Sequence, residues 1–186
     1  MWCLELFVLY EIEEWLGIDP QHVYSGEDLN RVALEVLRNK LEGIADPQLG
    51  IIVAVVSAEV SSEGLTLPLP GDPDFYFKVK YTVLAYEPIL NEVVRSVVRD
   101  VREQGLIVDL GPIDGFVHRS QITDEGLELL PDKRGFRSDS GKIIEIGDIV
   151  RARISQIAKP TRRTLMLKVG LTMRQPYLGK EEYIKK

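Results

Sequence analysis

The feature that most constrains the fold is a pair of short strand patterns joined by a dense turn, in residues 104–120, whose sequence is QGLIVDLGPIDGFVHRS. Apolar residues recur at positions 106, 108 and 110, which is the two-residue period of a half-buried strand. The segment 111–115 is rich in turn formers, because proline fixes one backbone angle and glycine accepts angles closed to other residues. The stretch therefore predicts a β-hairpin.

The second strand of this hairpin carries Phe116 and His118 on one face and Val117 on the other, because side chains alternate along a strand. An aromatic ring beside an imidazole on an exposed sheet face is a platform on which unpaired bases stack. The alternative is that Phe116 packs in a core and His118 is an ordinary surface histidine. The hairpin alone leaves both interpretations open.

The residues that follow the hairpin continue the strand pattern. The run IIEIGD at 143–148 precedes an apolar and basic strand at 149–157, and a last strand covers roughly 165–173. The order of a long strand, a glycine-broken strand, GFVHRS, IGD and two closing strands resembles the S1 domain over residues 89–175. That domain is a five-stranded barrel of the oligonucleotide-binding (OB) class, so the resemblance implies an all-β OB/S1 barrel.

A more specific resemblance covers nearly the whole chain. The run GLTMRQPYLGK at 170–180 resembles the C-terminal signature of E-prime, a stalk protein of the archaeal RNA polymerase, whose eukaryotic counterpart is the seventh subunit of RNA polymerase II. The GPIDG turn, the residues 32–35 and Gly71-Asp72 ahead of Phe75 are similar to that family as well. The resemblance implies an α+β N-terminal ribonucleoprotein-like tip domain that docks on the polymerase core. It also implies two further partners, the small helical stalk protein called F and nascent single-stranded RNA.

Composition indicates globular domains rather than disorder, because hydrophobic residues make up 45% and charged residues 28% of the 186. The single cysteine, Cys3, cannot form an internal disulfide, which fits a reducing compartment. No apolar run approaches the roughly 18 residues that span a bilayer. We therefore expect a cytoplasmic protein that does not enter a membrane.

Charge is distributed unevenly along the chain. Residues 1–88 hold 5 Lys and Arg against 15 Asp and Glu, whereas residues 89–186 hold 18 against 14. Because a basic surface attracts phosphate and an acidic one repels it, any nucleic-acid site is expected in the second half.

The first half, residues 1–86, predicts a small α+β domain. Asp28 can cap a helix whose apolar residues keep the i, i+3, i+4, i+7 spacing of one buried face, and Gly43 ends it. The predicted elements follow in chain order: a strand from 2 to about 10, residues 11–17 that either extend this strand or form a short helix, a loop marked by Asp19-Pro20 and Ser25-Gly26, a helix at 28–42, and strands at 50–56 and 75–86.

Two segments of this domain suggest contacts with other subunits. The strand at 50–56 is apolar on both faces, which is typical of a strand covered on both sides. The helix supplies one cover, and the second could be the other half of the chain or another protein of the assembly. Leucines in the Pro- and Gly-rich segment 61–74 suggest docking as well, although they could equally tuck into the local fold. The residues expected to contact the partner or the polymerase core are Pro20, Ile52, Val56, Leu65, Leu67 and Leu69.

Residues 87–186 form the second predicted domain. Its first strand, at 90–102, has apolar residues of both parities, which suits the coiled first strand of a closed barrel. Residues 123–141 are charged and contain Pro131, so we expect a loop there. After Lys180 the polar tail is expected to fray.

Basic residues on the strands and turns of this domain complete the predicted RNA site, because guanidinium groups bind phosphates and stack on bases. Arg151 and Arg153 could instead belong to an ordinary solvated face. S1 domains usually carry two phenylalanines where this chain has Gln104 and Ile107, and an aliphatic residue where it has Arg119, so we expect modest, mostly electrostatic affinity. The predicted RNA-binding residues are Phe116, His118, Arg151, Arg153, Arg162, Arg163, Lys168 and Arg174.

Catalytic and cofactor motifs are absent from the sequence. It contains no phosphate-cradling GxxxxGK run and no dinucleotide-binding fingerprint. Two histidines and one cysteine are too few for the usual four-ligand zinc site, so no cofactor is expected. The E-prime resemblance implies a non-catalytic subunit of DNA-directed RNA polymerase. The alternative is a free-standing S1-domain factor in translation or RNA decay, but the acidic first half combined with the run at 170–180 favours the polymerase.

Overall fold

A computed structural model of the chain describes residues 6–62, 74–160 and 166–184. The packing divides them into two units. One spans Phe7–Glu87, and the other comprises the described residues from Pro88 onward together with Leu6. The fold is the predicted combination of an α+β unit followed by a β-barrel.

The first unit is an antiparallel four-stranded sheet with two helices. Its strands lie in the order β1–β4–β3–β2. The elements are β1 (Phe7–Ile18), α1 (Pro20–Tyr24), α2 (Leu29–Leu41), β2 (Ala45–Asp46), β3 (Gly50–Val60) and β4 (Phe75–Tyr86).

Strand β1 resolves the choice that the sequence left open for residues 11–17. It pairs with β4 along its whole length, from Phe7 opposite Tyr86 to Ile18 opposite Phe75. Residues 11–17 are therefore strand rather than helix. The part of the predicted strand at residues 2–5 lies outside the described residues.

Helix α2 begins and packs as the sequence predicts. The Asp28 carboxylate accepts the backbone N–H of Asn30, which satisfies one of the unpaired donors at the helix start. Val32, Ala33 and Leu37 are buried in one core with side chains from β1, β3 and β4. Most of the stability of such a helix comes from this buried face rather than from its intrinsic propensity.

The predicted loop at Asp19-Pro20 is wrong. These residues begin helix α1, in which Pro20 occupies the first turn and the Asp19 side chain accepts the backbone N–H of Gln21. A proline costs nothing at this position, because the N–H that it lacks would have no partner inside the helix. The same pair that marks a turn in sequence can therefore start a helix.

The two faces of the sheet differ in what covers them. Ile52 lies in the core under α2 and is 4% exposed. Three large apolar residues are exposed on the face away from the helix: Leu9 (63% exposed), Trp15 (50%) and Val56 (53%). Val56 lies at a bulge in β3. The strand at 50–56 is thus covered by α2 as predicted, and it carries apolar surface on its other side.

The second unit is a closed barrel with a small added sheet. Strands in the order β12–β7–β6–β5–β11 form the barrel, which closes where β11 pairs with β12, and β13 extends it at β11. The strands are β5 (Val93–Arg102), β6 (Gly105–Asp109), β7 (Asp114–His118), β8 (Leu127–Leu129), β9 (Gly135–Ser138), β10 (Ile143–Glu145), β11 (Ile149–Ala158), β12 (Lys168–Thr172) and β13 (Gly179–Lys180).

The hairpin at 104–120 forms as predicted, and two glycines make its packing possible. Leu106 and Val108 are fully buried inside the barrel, whereas Ile107 between them faces outward. A Cβ on Gly105 would clash with the backbone carbonyl oxygen of Val117 on the paired strand, and one on Gly115 would lie 2.5 Å from Leu171 Cδ1. Both positions therefore require the absence of a side chain.

The predicted loop at 123–141 and the predicted frayed tail are both wrong. Strands β8, β9 and β10 form a three-stranded sheet, with Phe136 almost wholly buried. The chain beyond Lys180 makes a 3₁₀ turn over Glu181–Tyr183, and the Glu181 carboxylate binds Arg95. Short strands with charged residues between them carry too little periodicity to be recognised from sequence.

Helices in the described ranges are short. The longer one, α2, has 13 residues, and none is both long and apolar enough to cross a membrane.

Candidate nucleic-acid interface

A groove of about 780 Å³ runs along the outer face of the barrel over β6, β7 and β12. Phe116 lies on its floor and pairs with Ile107 of β6 on one side and with Gly170 of β12 on the other. Phe116 is partly buried, and because Gly170 has no side chain, none covers the ring from the directly opposed position on β12. Met166, which is 68% exposed, also lines the groove. The groove thus combines one aromatic ring with apolar walls.

Phe116 and His118 lie on the same face of β7, as the alternation predicts. Val117 between them is fully buried, His118 is exposed, and the two ring centroids are 6.3 Å apart in an edge-to-face arrangement. His118 Nδ1 accepts the backbone N–H of Ser120 at 3.2 Å and lies 2.8 Å from that residue's hydroxyl. The imidazole therefore caps the following 3₁₀ turn, and this fixes its orientation beside Phe116.

Positive charge at the groove comes from Lys168 and from Arg102, whose Nε donates to Asp100 Oδ2 at 3.2 Å. The Lys168 side chain is exposed and forms no ion pair within the described residues. The nearby Asp114 carboxylate would repel phosphate, but it is bound by Arg99 Nη1 at 2.9 Å. This hydrogen bond raises the pKa of Arg99 and balances the carboxylate charge. The net potential of the groove therefore favours an anion.

Both halves of the chain match known families. Residues 15–73 match the family described as "SHS2 domain found in N terminus of Rpb7p/Rpc25p/MJ0397". Residues 87–167 match "S1 RNA binding domain", the family that the strand order of the second unit resembles. The S1 barrel contains the groove with Phe116.

Similarity to curated relatives extends over almost the whole chain. The DNA-directed RNA polymerase subunit Rpo7 of Saccharolobus solfataricus is 40% identical over 161 residues, which are 86% of this chain and 87% of the relative. The protein of the same name in Sulfolobus acidocaldarius is 35% identical over 96% of this chain and 95% of its own. The chain belongs to the Rpo7/Rpb7 family of RNA polymerase subunits.

The family assignment extends to eukaryotes and confirms the prediction of a non-catalytic polymerase subunit. The DNA-directed RNA polymerase II subunit rpb7 of Schizosaccharomyces pombe is 26% identical over 93% of this Rpo7-family chain and 98% of its own length. No group of three or more His, Cys, Asp or Glu side chains in residues 6–62, 74–160 and 166–184 could hold a metal ion.

The arginines predicted on β11 do not lie in the groove of this Rpo7-family barrel. Gln156 is the β11 residue level with Gly170, and Arg151 is five residues further along the strand, which corresponds to roughly 16 Å at 3.3 Å per residue. Arg151 lies opposite Arg95 of β5 instead, and Glu181 binds both. Arg153 is partly buried, and its Nε has no hydrogen-bond partner in the described part of the chain.

The remaining predicted residues fall in other places. Arg174 is bound by the Asp124 carboxylate and does not line the groove. Arg162 and Arg163, and the docking candidates Leu65, Leu67 and Leu69, lie outside the described residues. Of the other docking candidates, Pro20 is in the first turn of α1, Ile52 is in the core, and Val56 is on the open sheet face.

The predicted site missed most of the residues that line the groove, among them Arg102, Ile107, Met166 and Gly170. The parity of β12 places Met166 and Gly170 on the same side as Lys168, and that signal was available in the sequence. Ile107 and Arg102 face the same groove only because β6 pairs with β7 and the end of β5 pairs with β6 in the closed barrel.

Proposed function

We propose that this Rpo7-family chain belongs to the stalk of a cytoplasmic RNA polymerase and binds nascent single-stranded RNA through its barrel. In this proposal, residues 87–186 bind RNA, while residues 1–86 dock on the polymerase core and join the small helical stalk partner called F. The observation that carries RNA binding is the groove, in which Phe116 lies opposite Gly170, which has no side chain, and Lys168 is a cation with no ion pair among the described residues.

The chemistry of the groove favours a single strand over a duplex. A base stacks on an aromatic ring only when it is not paired within a helix, and this kind of contact tolerates any base. The groove offers one ring, which supports a weak and sequence-tolerant interaction. A protein that guides an emerging transcript requires this behaviour, because the transcript sequence changes continuously.

The apolar residues on the open face of the first unit support an assembly role. Leu9, Trp15 and Val56 are exposed on one side of a four-stranded sheet. Large aromatic residues contribute much of the binding energy in protein interfaces. We propose this face as the contact for the helical partner, and the segment 61–74 with Leu65, Leu67 and Leu69 as a contact for the core.

The pairing of an SHS2 unit with an S1 barrel favours this function over a free-standing S1 factor in translation or RNA decay. A reconstitution experiment tests it. The chain is assembled with the helical partner and the polymerase core, and the complex transcribes RNA that contains photoreactive 4-thiouridine. We expect crosslinks to peptides that contain Phe116 or the segment 166–170. Failure to assemble would refute the stalk role, and crosslinks confined to other surfaces would refute the groove.

A further inference from the structure

Two arginines face each other across the β5–β11 pairing, on the outside of the barrel. Arg95 is the direct partner of Arg151 in this antiparallel register. Like charges in directly opposed positions of a sheet repel each other, so an anion between them is needed to stabilise the pair. Exposed Val97 and Ile149 form the next cross-strand pair on the same face.

The anion is the carboxylate of Glu181. Arg95 donates from Nε to both carboxylate oxygens at 3.1 Å and from Nη2 to Oε2 at 2.9 Å, and Arg151 Nη2 donates to Oε1 at 3.1 Å. The hydrogen bond from Arg95 lowers the pKa of the Glu181 carboxyl, so it is ionised at neutral pH. Two guanidinium groups thus converge on one small anion.

A short segment that pairs with the barrel, called the tether here and formed by Gly179 and Lys180, places Glu181 at this position. The two residues of β13, Gly179 and Lys180, pair with the end of β11, and Glu181 starts the 3₁₀ turn that follows. Lys180 Nζ holds the tether by an ion pair with Asp148 at 2.9 Å. The Glu181 side chain is held, among the described residues, by its hydrogen bonds to the two arginines, whereas Lys180 binds Asp148 and Glu182.

The arrangement is one that binds phosphate. Guanidinium groups present donors in a planar fork that fits the oxygens of carboxylate and phosphate alike. The Arg95 and Arg151 side chains remain 48% and 43% exposed, so a strand of RNA can reach them from solvent. An exposed ion pair of this kind contributes little net stability, so a competing anion can displace the carboxylate.

We propose that Arg95 and Arg151 form a second phosphate-binding site for single-stranded RNA, and that the Glu181 carboxylate competes with RNA for it. This inference rests on the proposed RNA-binding function and adds a site outside the groove. The Glu181 carboxylate occupies the second site until an RNA strand already bound in the groove raises the local concentration of phosphate. RNA therefore contacts the groove first and the arginine pair second.

Two variants of the full chain provide a matched comparison. E181Q and E182Q each remove one negative charge from the same turn. The Glu182 side chain is 69% exposed, and its one ion pair among the described residues is with Lys180, at 3.2 Å. We expect E181Q to tighten binding of labelled oligouridine about threefold to tenfold at low salt, and to steepen the salt slope by about 0.7, the value for one added phosphate. E182Q should leave the slope unchanged.

The source of the gain is checked with two double variants. R95Q combined with E181Q should lose the gain, because the second guanidinium alone cannot replace the pair. F116L combined with E181Q should keep it, because Phe116 belongs to the groove. A gain that is equal in E181Q and E182Q, or that persists without Arg95, would overturn the proposal. If E181Q tightens RNA binding but groove variants such as F116L bind RNA as tightly as wild type, the result would count against the groove and not against the second site.

E181Q could change RNA binding by detaching β13 and the following turn from the barrel, so a further measurement uses the wild-type chain. Hydrogen exchange of the amides in β13 and the following turn is compared with and without saturating oligouridine. Displacement of Glu181 predicts faster exchange there when RNA is bound. Unchanged or slower exchange would show that RNA does not compete with the carboxylate, and would overturn the proposal.

Discussion

Gly170 lies directly beside Phe116 in the parallel pairing of β12 with β7. The nearest atom to a Cβ at position 170 would be Gln156 Cβ, at 3.3 Å, and the Gln156 carbonyl oxygen would be 3.8 Å away, so a side chain fits there if Gln156 shifts by a few tenths of an ångström. The absence of a side chain beside Phe116 is therefore not a requirement of the core. This separates a change in RNA binding from a change in folding.

Gly170→Val tests the open flank of the ring. The added side chain would cover Phe116 from the β12 side, so we expect weaker binding of oligouridine, by about 1 kcal/mol, with an unchanged salt slope. A valine suits a strand, so the melting temperature should change little. Fluorescence anisotropy titration and a thermal melt measure the two quantities on the same sample. Normal binding by a folded Gly170→Val chain would mean that bases do not stack at this flank.

Gly115→Ala is expected to destabilise the barrel. The new methyl would lie 2.5 Å from Leu171 Cδ1 and 2.9 Å from Leu110 Cδ1, inside a packed core. Overpacking of this kind costs about 1–3 kcal/mol in the free energy of unfolding. Urea denaturation measures the loss, with Gly170→Ala on the outer face as the control. Equal stability of the two variants would contradict the packing described for the barrel interior.

Trp15→Ser is expected to weaken the complex with the helical partner. A buried tryptophan at an interface contributes about 2 kcal/mol or more, which corresponds to roughly a thirtyfold loss of affinity. Val56→Ser should have a smaller effect in the same direction. Glu35→Gln, on the exposed side of α2, is the control, because it leaves the open sheet face unaltered. Calorimetric titration with the helical partner measures the affinity of each variant. Wild-type affinity of Trp15→Ser would exclude this face as the contact for the partner.

The Glu181 contact predicts a pH dependence of stability. Because the arginines lower the pKa of this carboxyl in the folded chain, its contribution is present above its usual pKa and is lost as the pH falls through the lower, folded-state pKa. Wild type should melt above E181Q at neutral pH, and the two melting temperatures should converge under acidic conditions. A difference that stays constant from neutral to acidic pH would show that charge on Glu181 does not fasten the tail.

The sequence predicted those elements whose signals are local. The alternation around Leu106 and Val108 identified the hairpin, and Asp28 ahead of an amphipathic run identified helix α2. These patterns follow from the pleat of a strand and from the unpaired donors at a helix start, so they can be recognised without knowing the fold. The S1 and E-prime resemblances then supplied the arrangement of the elements.

The composition of the site depended on contacts that no local pattern contains. Parity correctly placed Arg151 and Lys168 on outer faces, but the order of strands in the closed barrel decides which outer residues are neighbours. Strand β11 lines the groove only near its C-terminal end, through Gln156 and Ala158, so Lys168 of the paired strand β12 lies at the groove and Arg151 does not. The partner of Arg95 is 86 residues away in sequence, at Glu181, which a polar tail does not reveal.

The central claim is that the groove over β6, β7 and β12 binds single-stranded RNA, and titration of labelled oligouridine at several salt concentrations tests it most directly. With Lys168 neutralising one phosphate and Arg102 exchanging its contact with Asp100 for a second, log K should fall with log salt with a slope of about −1.4. Phe116→Leu should weaken binding about fivefold, close to 1 kcal/mol, without changing this slope. Lys168→Gln should flatten it by about 0.7, whereas Lys142→Gln, a charge loss away from the groove, should not. Normal binding by both Phe116→Leu and Lys168→Gln would contradict the account.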